Sequence, residues 1–176
     1  TPLYSSAASD VYKRQFMNAA LRLSWYKFKH HYMDFVKVLL GIVAFEGLIL
    51  YIQDKGFLKD FETTRMTLFL LLFSTSLLIV VQNSIYISKE RSVLNRDFFS
   101  GLSRSAFALA SMGIHAFFAV LETIVFILSY SVFSKFFDKE FPDAGHIFGS
   151  YRWEVGITVL LVFLASHFIA LFISAL

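Results

Sequence analysis

The sequence predicts an all-α, polytopic membrane protein with four transmembrane helices that follow one amphipathic helix. Hydrophobic residues make up 57% of the 176 residues and charged residues only 16%, whereas a soluble domain is nearer half apolar and a quarter charged. The apolar residues lie in long blocks, and the chain has only 2 prolines to interrupt them. Blocks of about 20 apolar residues are long enough to cross a hydrocarbon core as helices.

The first fifteen residues are polar and show neither a helical nor an alternating pattern. They also lack the apolar core of a signal peptide. The run 5–15 resembles the in-frame translation of a transposon-end sequencing adapter, and in that case the open reading frame is a fragment. We interpret 1–15 as a non-native or disordered tail, with a genuine linker as the alternative, and leave it out of the fold prediction.

Residues 16–32 predict an amphipathic helix, because apolar side chains recur at intervals of three or four residues and fall on one stripe. The stripe consists of Met17, Leu21, Trp25, Phe28, Tyr32 and Phe35. Arg22, Lys27 and Lys29 fall off the stripe. Aromatic residues beside basic ones are typical of a helix lying in the membrane interface. The alternative is a juxtamembrane helix that only orients the next span.

Four apolar segments follow, at 35–52, 66–87, 106–133 and 155–176. The first is just long enough to cross a core of roughly 30 Å at about 1.5 Å per residue. The third is longer than a straight crossing needs, which favours a tilt or a first turn outside the hydrocarbon. We therefore predict four transmembrane helices.

Lys and Arg are concentrated before the first span and between the second and third spans, whereas the other two loops are balanced or slightly acidic. By the positive-inside rule, the N-terminal side and the loop after the second span face the cytoplasm. We therefore expect a multi-pass protein of the plasma membrane. The net charge of +3 is small, and we expect no nucleic acid as a partner.

Several kinds of catalytic chemistry lack their motifs. The chain has no Gly-x-x-x-x-Gly-Lys-Ser/Thr phosphate loop, no Gly-x-Ser-x-Gly and no His-Glu-x-x-His. It has no Cys, and its 5 His are dispersed. We therefore expect no metal site, no bound cofactor and no catalytic residues in this chain.

Polar residues inside the predicted spans are candidates for function, because an acid in the membrane is expensive. Glu46 and Glu122 either line a transport path, bind a partner helix through a protonated hydrogen bond, or face water in a wider assembly. His115 precedes Glu122 by two helical turns on a similar face, and the pair is either a polar stripe or packing between helices. Asn83 is a further possible intramembrane polar site, or it caps or hydrogen-bonds neighbouring helices. His167 is interpreted as a helix-packing residue.

The loop after the second span contains a dense polar segment at 90–101. Its marked positions are Glu90, Arg91, Arg96, Asp97 and Gly101. Their order resembles the Glu-Arg…Arg-Glu…Gly pattern after the second span of ABC-2 type membrane domains. In particular, the segment looks like that of the G-subfamily exporters (white or pleiotropic drug resistance type) and their bacterial relatives. Asp97 stands where that family usually carries Glu. Without the resemblance, the charges of this segment would indicate only a cytoplasmic loop that sets the topology.

Other stretches of 16–176 resemble the same family. Arg22 and Asp34 lie where its connecting helix carries Arg and, just before the first span, Asp. Asn83 matches an Asn late in the second span, and 171–176 resembles the Leu-x-Ile-Ser-Ala-Leu of bacterial fourth spans. The chain departs from the family at 112–120, where many members carry a Lys and a Pro and this sequence has neither.

The resemblance implies that the loop after the second span forms a short coupling helix that docks on an ATP-binding domain. The residues implied are Glu90, Arg91, Leu94, Arg96, Asp97, Phe98 and Gly101. The charged members would dock or brace, Leu94 and Phe98 would give the helix an apolar face, and Gly101 would allow the turn. The 16–32 helix, with Arg22, Trp25, Phe28 and Asp34, resembles the family's connecting helix.

Members of the family have six spans and work as dimers, so this chain would be a partial transmembrane domain. We expect the permease part of an ATP-driven exporter in the bacterial inner membrane. Its partners would be a nucleotide-binding domain fused upstream, a second protomer and the lipid bilayer. ATP and Mg would bind in the partner domain. The alternatives are a four-span scaffold without a transport role and an intramembrane enzyme that uses Glu46, His115 and Glu122.

Overall fold

The computed structural model of the chain describes residues 3–53, 61–85, 88, 99, 104–138, 147 and 149–176. They form four long helices, α1 (Leu3–Ile52), α2 (Phe61–Ser84), α3 (Arg104–Phe136) and α4 (Tyr151–Ala175). These described ranges contain no β-strand. The predicted all-α fold is confirmed.

Each helix contains a segment that is long and apolar enough to cross a membrane. The four segments are Tyr32–Ile52, Glu62–Ser84, Phe107–Phe136 and Tyr151–Ala175. They match the four predicted spans, with boundaries that shift by a few residues because helical hydrogen bonding continues into flanking polar residues. The chain is therefore a multi-pass helical membrane protein.

α1 runs without a break from Leu3 to Ile52, and in this respect it differs from the sequence expectation. Residues 3–15, interpreted as a tail, are helical, and the expected separate helix over 16–32 continues directly into the first span. The physical reason is local, since no Gly or Pro occurs between Leu3 and Leu40 to interrupt the backbone hydrogen bonds. Residues 3–31 extend α1 by about 43 Å beyond the first span.

The four helices form a ring in which α1 packs on α2 and α3, and α4 packs on the same two helices. Side-chain contacts set their directions. The ring of Phe35 stacks on Phe118 and Glu46 contacts Ser129, so α1 and α3 are parallel. His167 contacts Glu122 and the rings of Phe163 and Phe126 meet, as expected for α3 and α4 adjacent and antiparallel.

The bundle therefore has two distinct ends. The loop between α2 and α3 leaves at one, called the α2–α3 end, where Ser88 contacts Ser174 near the end of α4. The loops α1–α2 and α3–α4 leave at the other, called the α1–α2 end, where the ring of Tyr51 meets Phe137. The N-terminal part of α1 extends from the α2–α3 end.

The core is a cluster to which all four helices contribute, including Ile42, Ile79, Phe126 and Phe163. Large apolar side chains also point outward from every helix. They include Leu40, Phe69, Leu128 and Leu161, each more than 60% exposed. Such a surface is unfavourable in water and is suited to lipid. The pattern of burial thus agrees with a membrane environment.

Glycines allow close approach at two helix contacts. A Cβ added to Gly41 of α1 would lie 2.6 Å from Leu78 Cδ2 of α2. One added to Gly156 of α4 would lie 2.9 Å from Ile127 Cδ1 of α3. Small residues at such contacts bring membrane helices together without a gap.

Candidate functional site

The predicted coupling residues cannot be placed, because all of them lie outside the described residues. They are Glu90, Arg91, Leu94, Arg96, Asp97, Phe98 and Gly101. The described residues within this loop are Ile85, Ser88 and Phe99. The Ser88 N–H donates to Ser174 Oγ at 3.3 Å, and Phe99 is exposed. The loop between α2 and α3 therefore begins in contact with the end of α4.

The predicted connecting-helix residues lie on α1 at the α2–α3 end. Arg22 and Trp25 are exposed, and the Trp25 ring stacks on Phe28 with centroids 6.1 Å apart. Phe28 in turn packs against Phe118 of α3 at 6.0 Å. Trp25 and Phe28 are thus brought together, and an aromatic contact anchors this part of α1 to the first turns of α3.

Asp34 does not join that aromatic contact. Its Oδ1 accepts a hydrogen bond from Lys37 Nζ at 2.9 Å, one helical turn away on the same helix. Both side chains are partly exposed, so the pair contributes at most about 1 kcal/mol to stability. Lys37 is thereby held beside Asp34.

Three buried polar side chains form a continuous hydrogen-bonded cluster between α3 and α4, called the His–His–Glu cluster. His115 and His167 approach through their Nδ1 atoms, 3.0 Å apart. The other ring nitrogen of His167, Nε2, lies 2.8 Å from Glu122 Oε2. All three residues are 1% exposed or less. His167 thus joins the two α3 residues into one chain.

The arrangement follows from helix geometry. His115 and Glu122 are seven residues apart on α3, about 10 Å along its axis, so their side chains point to a similar side but are too far apart to bond directly. α4 packs against that side and inserts His167 between them. An imidazole has two nitrogens on opposite edges and can bridge the gap.

Glu46 occupies a second buried layer, between α1 and α3. The Ser129 hydroxyl donates to its Oε2 and also lies 2.8 Å from the Val125 carbonyl oxygen. Ser129 follows Glu122 by seven residues, so the Glu46–Ser129 layer is about 10 Å further along α3 than Glu122. Glu46, His115 and Glu122, considered together as the residues of an intramembrane enzyme, therefore belong to two separate layers.

Both carboxyl groups retain one buried oxygen without a hydrogen-bond partner among the described residues, Oε1 of Glu46 and Oε1 of Glu122. An ionised carboxylate in an apolar interior requires several compensating bonds.

Asn83 lies near the α2–α3 end and is half-buried. Its side-chain amide donates to the Ile79 carbonyl oxygen of the same helix at 2.9 Å. Among the contacts that the structure describes, the Asn83 side chain therefore bonds to the backbone of its own helix and takes no part in the His–His–Glu cluster.

A cavity of about 290 Å³ lies between α2, α3 and α4 near the α1–α2 end. Its walls are largely apolar and are formed by Leu68, Leu71, Leu72, Phe126, Ile147, Tyr151, Glu154, Val155, Thr158 and Val159. The Glu154 carboxylate accepts a hydrogen bond from the Ile147 N–H. Such a lining suits an apolar group.

Two members of these layers were not recognised as functional candidates. His167 was interpreted as a helix-packing residue only. A His in the middle of a membrane span is nevertheless expensive to bury, for the same reason as an acid. Ser129 was not singled out, and its signal is the repeat of polar residues at 115, 122 and 129. This seven-residue spacing places them along one side of α3.

Within the described ranges, no group of three or more His, Asp or Glu side chains is arranged to hold a metal ion. His115 and Glu122 contact opposite nitrogens of His167, so the three do not converge on one point. Comparison with protein-family models, with curated proteins and with solved structures gave no match.

Proposed function

We propose that this chain is the membrane-spanning permease part of an ATP-driven exporter of the ABC-2 type. The observation that supports the proposal is the shared position of two segments. The N-terminal part of α1 and the loop that contains 90–101 both leave the bundle at the α2–α3 end. These are the segments that resemble the connecting helix and the coupling helix, and both would have to face the same ATP-binding domain.

Charge supports the same orientation. The exposed residues at this end of α1 include Arg22 and Lys29, and residues 89–104 contain four Lys and Arg against two acids. By the positive-inside rule this end is cytoplasmic, where a partner could bind ATP and Mg. The membrane would be the bacterial inner membrane, as for the bacterial proteins that the sequence resembles.

A route for movement follows from the contact at the start of the loop. Ser88 bonds to Ser174 through both its N–H and its hydroxyl. When an ATP-binding partner moves the 90–101 segment, α2, α3 and the end of α4 would be displaced together. A second protomer would supply the other wall of a path for substrate. α3 carries the His–His–Glu cluster and would be displaced as a rigid helix.

The test is to express the full-length protein with its ATP-binding domain, reconstitute it in lipid vesicles, and measure ATP hydrolysis and movement of fluorescent lipid and drug analogues together. Asp97→Ala is expected to leave most of the hydrolysis and to abolish most of the transport, because the docking joint loses its acid. Glu62→Ala is the matched control, since Glu62 is an exposed acid at the start of α2, at the opposite end of the bundle.

Equal coupling in the Asp97→Ala variant and in the wild type would contradict the docking role. A second result bears on the whole proposal. If no Walker-type ATPase is encoded upstream or in the same operon, and none copurifies, the exporter proposal fails and a non-transporting four-span scaffold becomes the better interpretation.

A further inference from the structure

The His–His–Glu cluster has no role in the function proposed above. The coupling mechanism acts at the α2–α3 end, and substrate would move along the faces of the helices. Three titratable side chains nevertheless lie in contact within the bundle, with distances of 3.0 Å and 2.8 Å between their polar atoms. Helix packing alone needs only one hydrogen bond between neutral groups.

The geometry gives the cluster two hydrogen-bond directions. In the first, His115 Nδ1–H donates to His167 Nδ1, and His167 Nε2–H donates to a Glu122 carboxylate. In the second, a Glu122 carboxylic acid donates to His167 Nε2, and His167 Nδ1–H donates to His115 Nδ1. Both directions satisfy the same two distances, because either ring nitrogen of an imidazole can donate or accept.

We propose that His115, His167 and Glu122 form an intramembrane proton-transfer site whose ligand is a proton. A proton bound at His115 Nε2 makes that ring an imidazolium. The Nδ1 proton of His115 then moves to His167 Nδ1, while the Nε2 proton of His167 moves to Glu122 Oε2. The positive charge on His115 and the negative charge on Glu122 disappear together, and the number of protons in the cluster is unchanged.

The transfer proceeds in this direction because the product carries no charge. Before it, the cluster holds an imidazolium and a carboxylate in an interior of low dielectric, and after it all three groups are neutral. The acid proton on Glu122 can then leave through the carboxyl group, whose Oε1 has no hydrogen-bond partner among the described residues. When the proton returns instead through His115 Nε2, both shifts run in reverse and restore the first direction.

Described ionisable groups on the helices around the cluster include Asp34, Lys37 and Glu46 on α1, Glu62 and Arg65 on α2, Arg104 and Tyr130 on α3, and Tyr151 and Glu154 on α4. Asp34 and Lys37 pair with each other, and Glu46 bonds to Ser129. Arg104 is about 16 Å before His115 along α3, and Glu154 is about 20 Å before His167 along α4.

The site has a direction across the membrane. His115 lies nearest the α2–α3 end, where its ring contacts Phe118, and Glu122 lies about 10 Å deeper. Ser129 and Glu46 lie a further 10 Å or so along the same side of α3. A proton taken up at His115 would thus move away from the α2–α3 end. The proposal goes beyond the exporter function and does not depend on it.

The experiment uses the whole chain in phosphatidylethanolamine–phosphatidylglycerol vesicles, with histidine labelled by ¹⁵N. Solid-state NMR reports the tautomer of His167, and infrared difference spectroscopy reports the carboxylic acid band, both followed through a pH titration. We expect His167 to change from Nε2–H to Nδ1–H over the same pH range in which a buried carboxyl group becomes protonated, because one proton shift causes both.

The matched variants are Glu122→Gln and Glu46→Gln, which remove one buried carboxyl group each. Glu122→Gln should abolish the coincident changes and reduce proton uptake by about one per chain, because its amide cannot be ionised. Glu46→Gln should keep the His167 change. Exposed His30 serves as the reference histidine outside the cluster.

Three results would overturn the proposal. They are a His167 tautomer that stays fixed while the carboxyl band changes, a His167 change over a different pH range, and undiminished proton uptake in Glu122→Gln. A cluster that only holds helices together would give the first of these. The measurements on the wild type decide the question even when Glu122→Gln does not fold, because the coincidence of the two signals needs no variant.

Discussion

Two buried glutamates in this bundle differ in what their hydrogen bonds lead to. Glu122 bonds to an imidazole whose second nitrogen continues to another imidazole. Glu46 bonds to the hydroxyl of Ser129, which also contacts a backbone carbonyl of its own helix. The two acids are equally buried and both face α3. The comparison shows that the partner, and not the depth of burial, decides whether a buried acid belongs to a chain along which a proton can move.

The two layers also join different helices. The Glu122 layer fixes α3 to α4, and the Glu46 layer fixes α1 to α3. The described contacts of the Glu46 layer end at backbone carbonyl groups within one turn of α3. Removing the Glu46–Ser129 hydrogen bond should therefore affect the packing of that turn only. The His–His–Glu cluster extends over two turns of α3 and depends on a single residue of α4. Variants in the two layers should therefore differ in cost.

The largest expected effect comes from removing the bridging imidazole. His167→Ala should lower the free energy of unfolding by about 3 kcal/mol, because it opens a cavity and removes both bonds of the cluster at once. Unfolding by sodium dodecyl sulfate in mixed micelles measures the change. His30→Ala is the control on an exposed residue and should stay within about 0.5 kcal/mol of the wild type. A loss below about 1 kcal/mol for His167→Ala would mean that the cluster adds nothing beyond ordinary packing.

The four spans could be predicted from the sequence because a membrane span depends on one summed property, the hydropathy of a contiguous block. The spans Glu62–Ser84 and Tyr151–Ala175 could be predicted without knowing which helices pack beside them. The continuity of α1 could not be predicted in the same way. The amphipathic stripe over 16–32 and the apolar block that begins at residue 35 suggested two helices, whereas a helix is interrupted only where its backbone hydrogen bonds fail.

The candidate site was predicted in part. The free-energy cost of a polar side chain inside the membrane identified Glu46, His115 and Glu122 individually. It could not identify the hydrogen-bond partners of these residues. That His167 of α4 lies between His115 and Glu122 depends on the register of α3 against α4. Register in turn depends on packing details such as the contact of Gly156 with Ile127, which no single segment of the sequence contains.

A smaller effect is expected in the Glu46 layer. A double-mutant cycle of Glu46→Gln and Ser129→Ala should give a coupling energy of about 0.6 kcal/mol, the typical value for a hydrogen bond between membrane helices. The same unfolding assay measures the four proteins of the cycle. A coupling energy above about 1.7 kcal/mol would exceed that range. It would show that Glu46, like Glu122, belongs to a larger network, and the contrast between the two layers would fail.

The smallest effect is expected where α4 approaches α3. Gly156→Ala gains up to about 1 kcal/mol from helix propensity but places a Cβ 2.9 Å from Ile127 Cδ1, an overlap that costs about 1–3 kcal/mol unless that methyl group moves. Because Cδ1 is the tip of a flexible side chain, we expect a net loss of about 0.5 kcal/mol. Ile127→Val removes that methyl group, so in its background Gly156→Ala should become neutral or stabilising. A loss that persists in the Ile127→Val background would place the strain in the backbone contact between α3 and α4. The register that brings His167 to Glu122 would then tolerate no added volume at all.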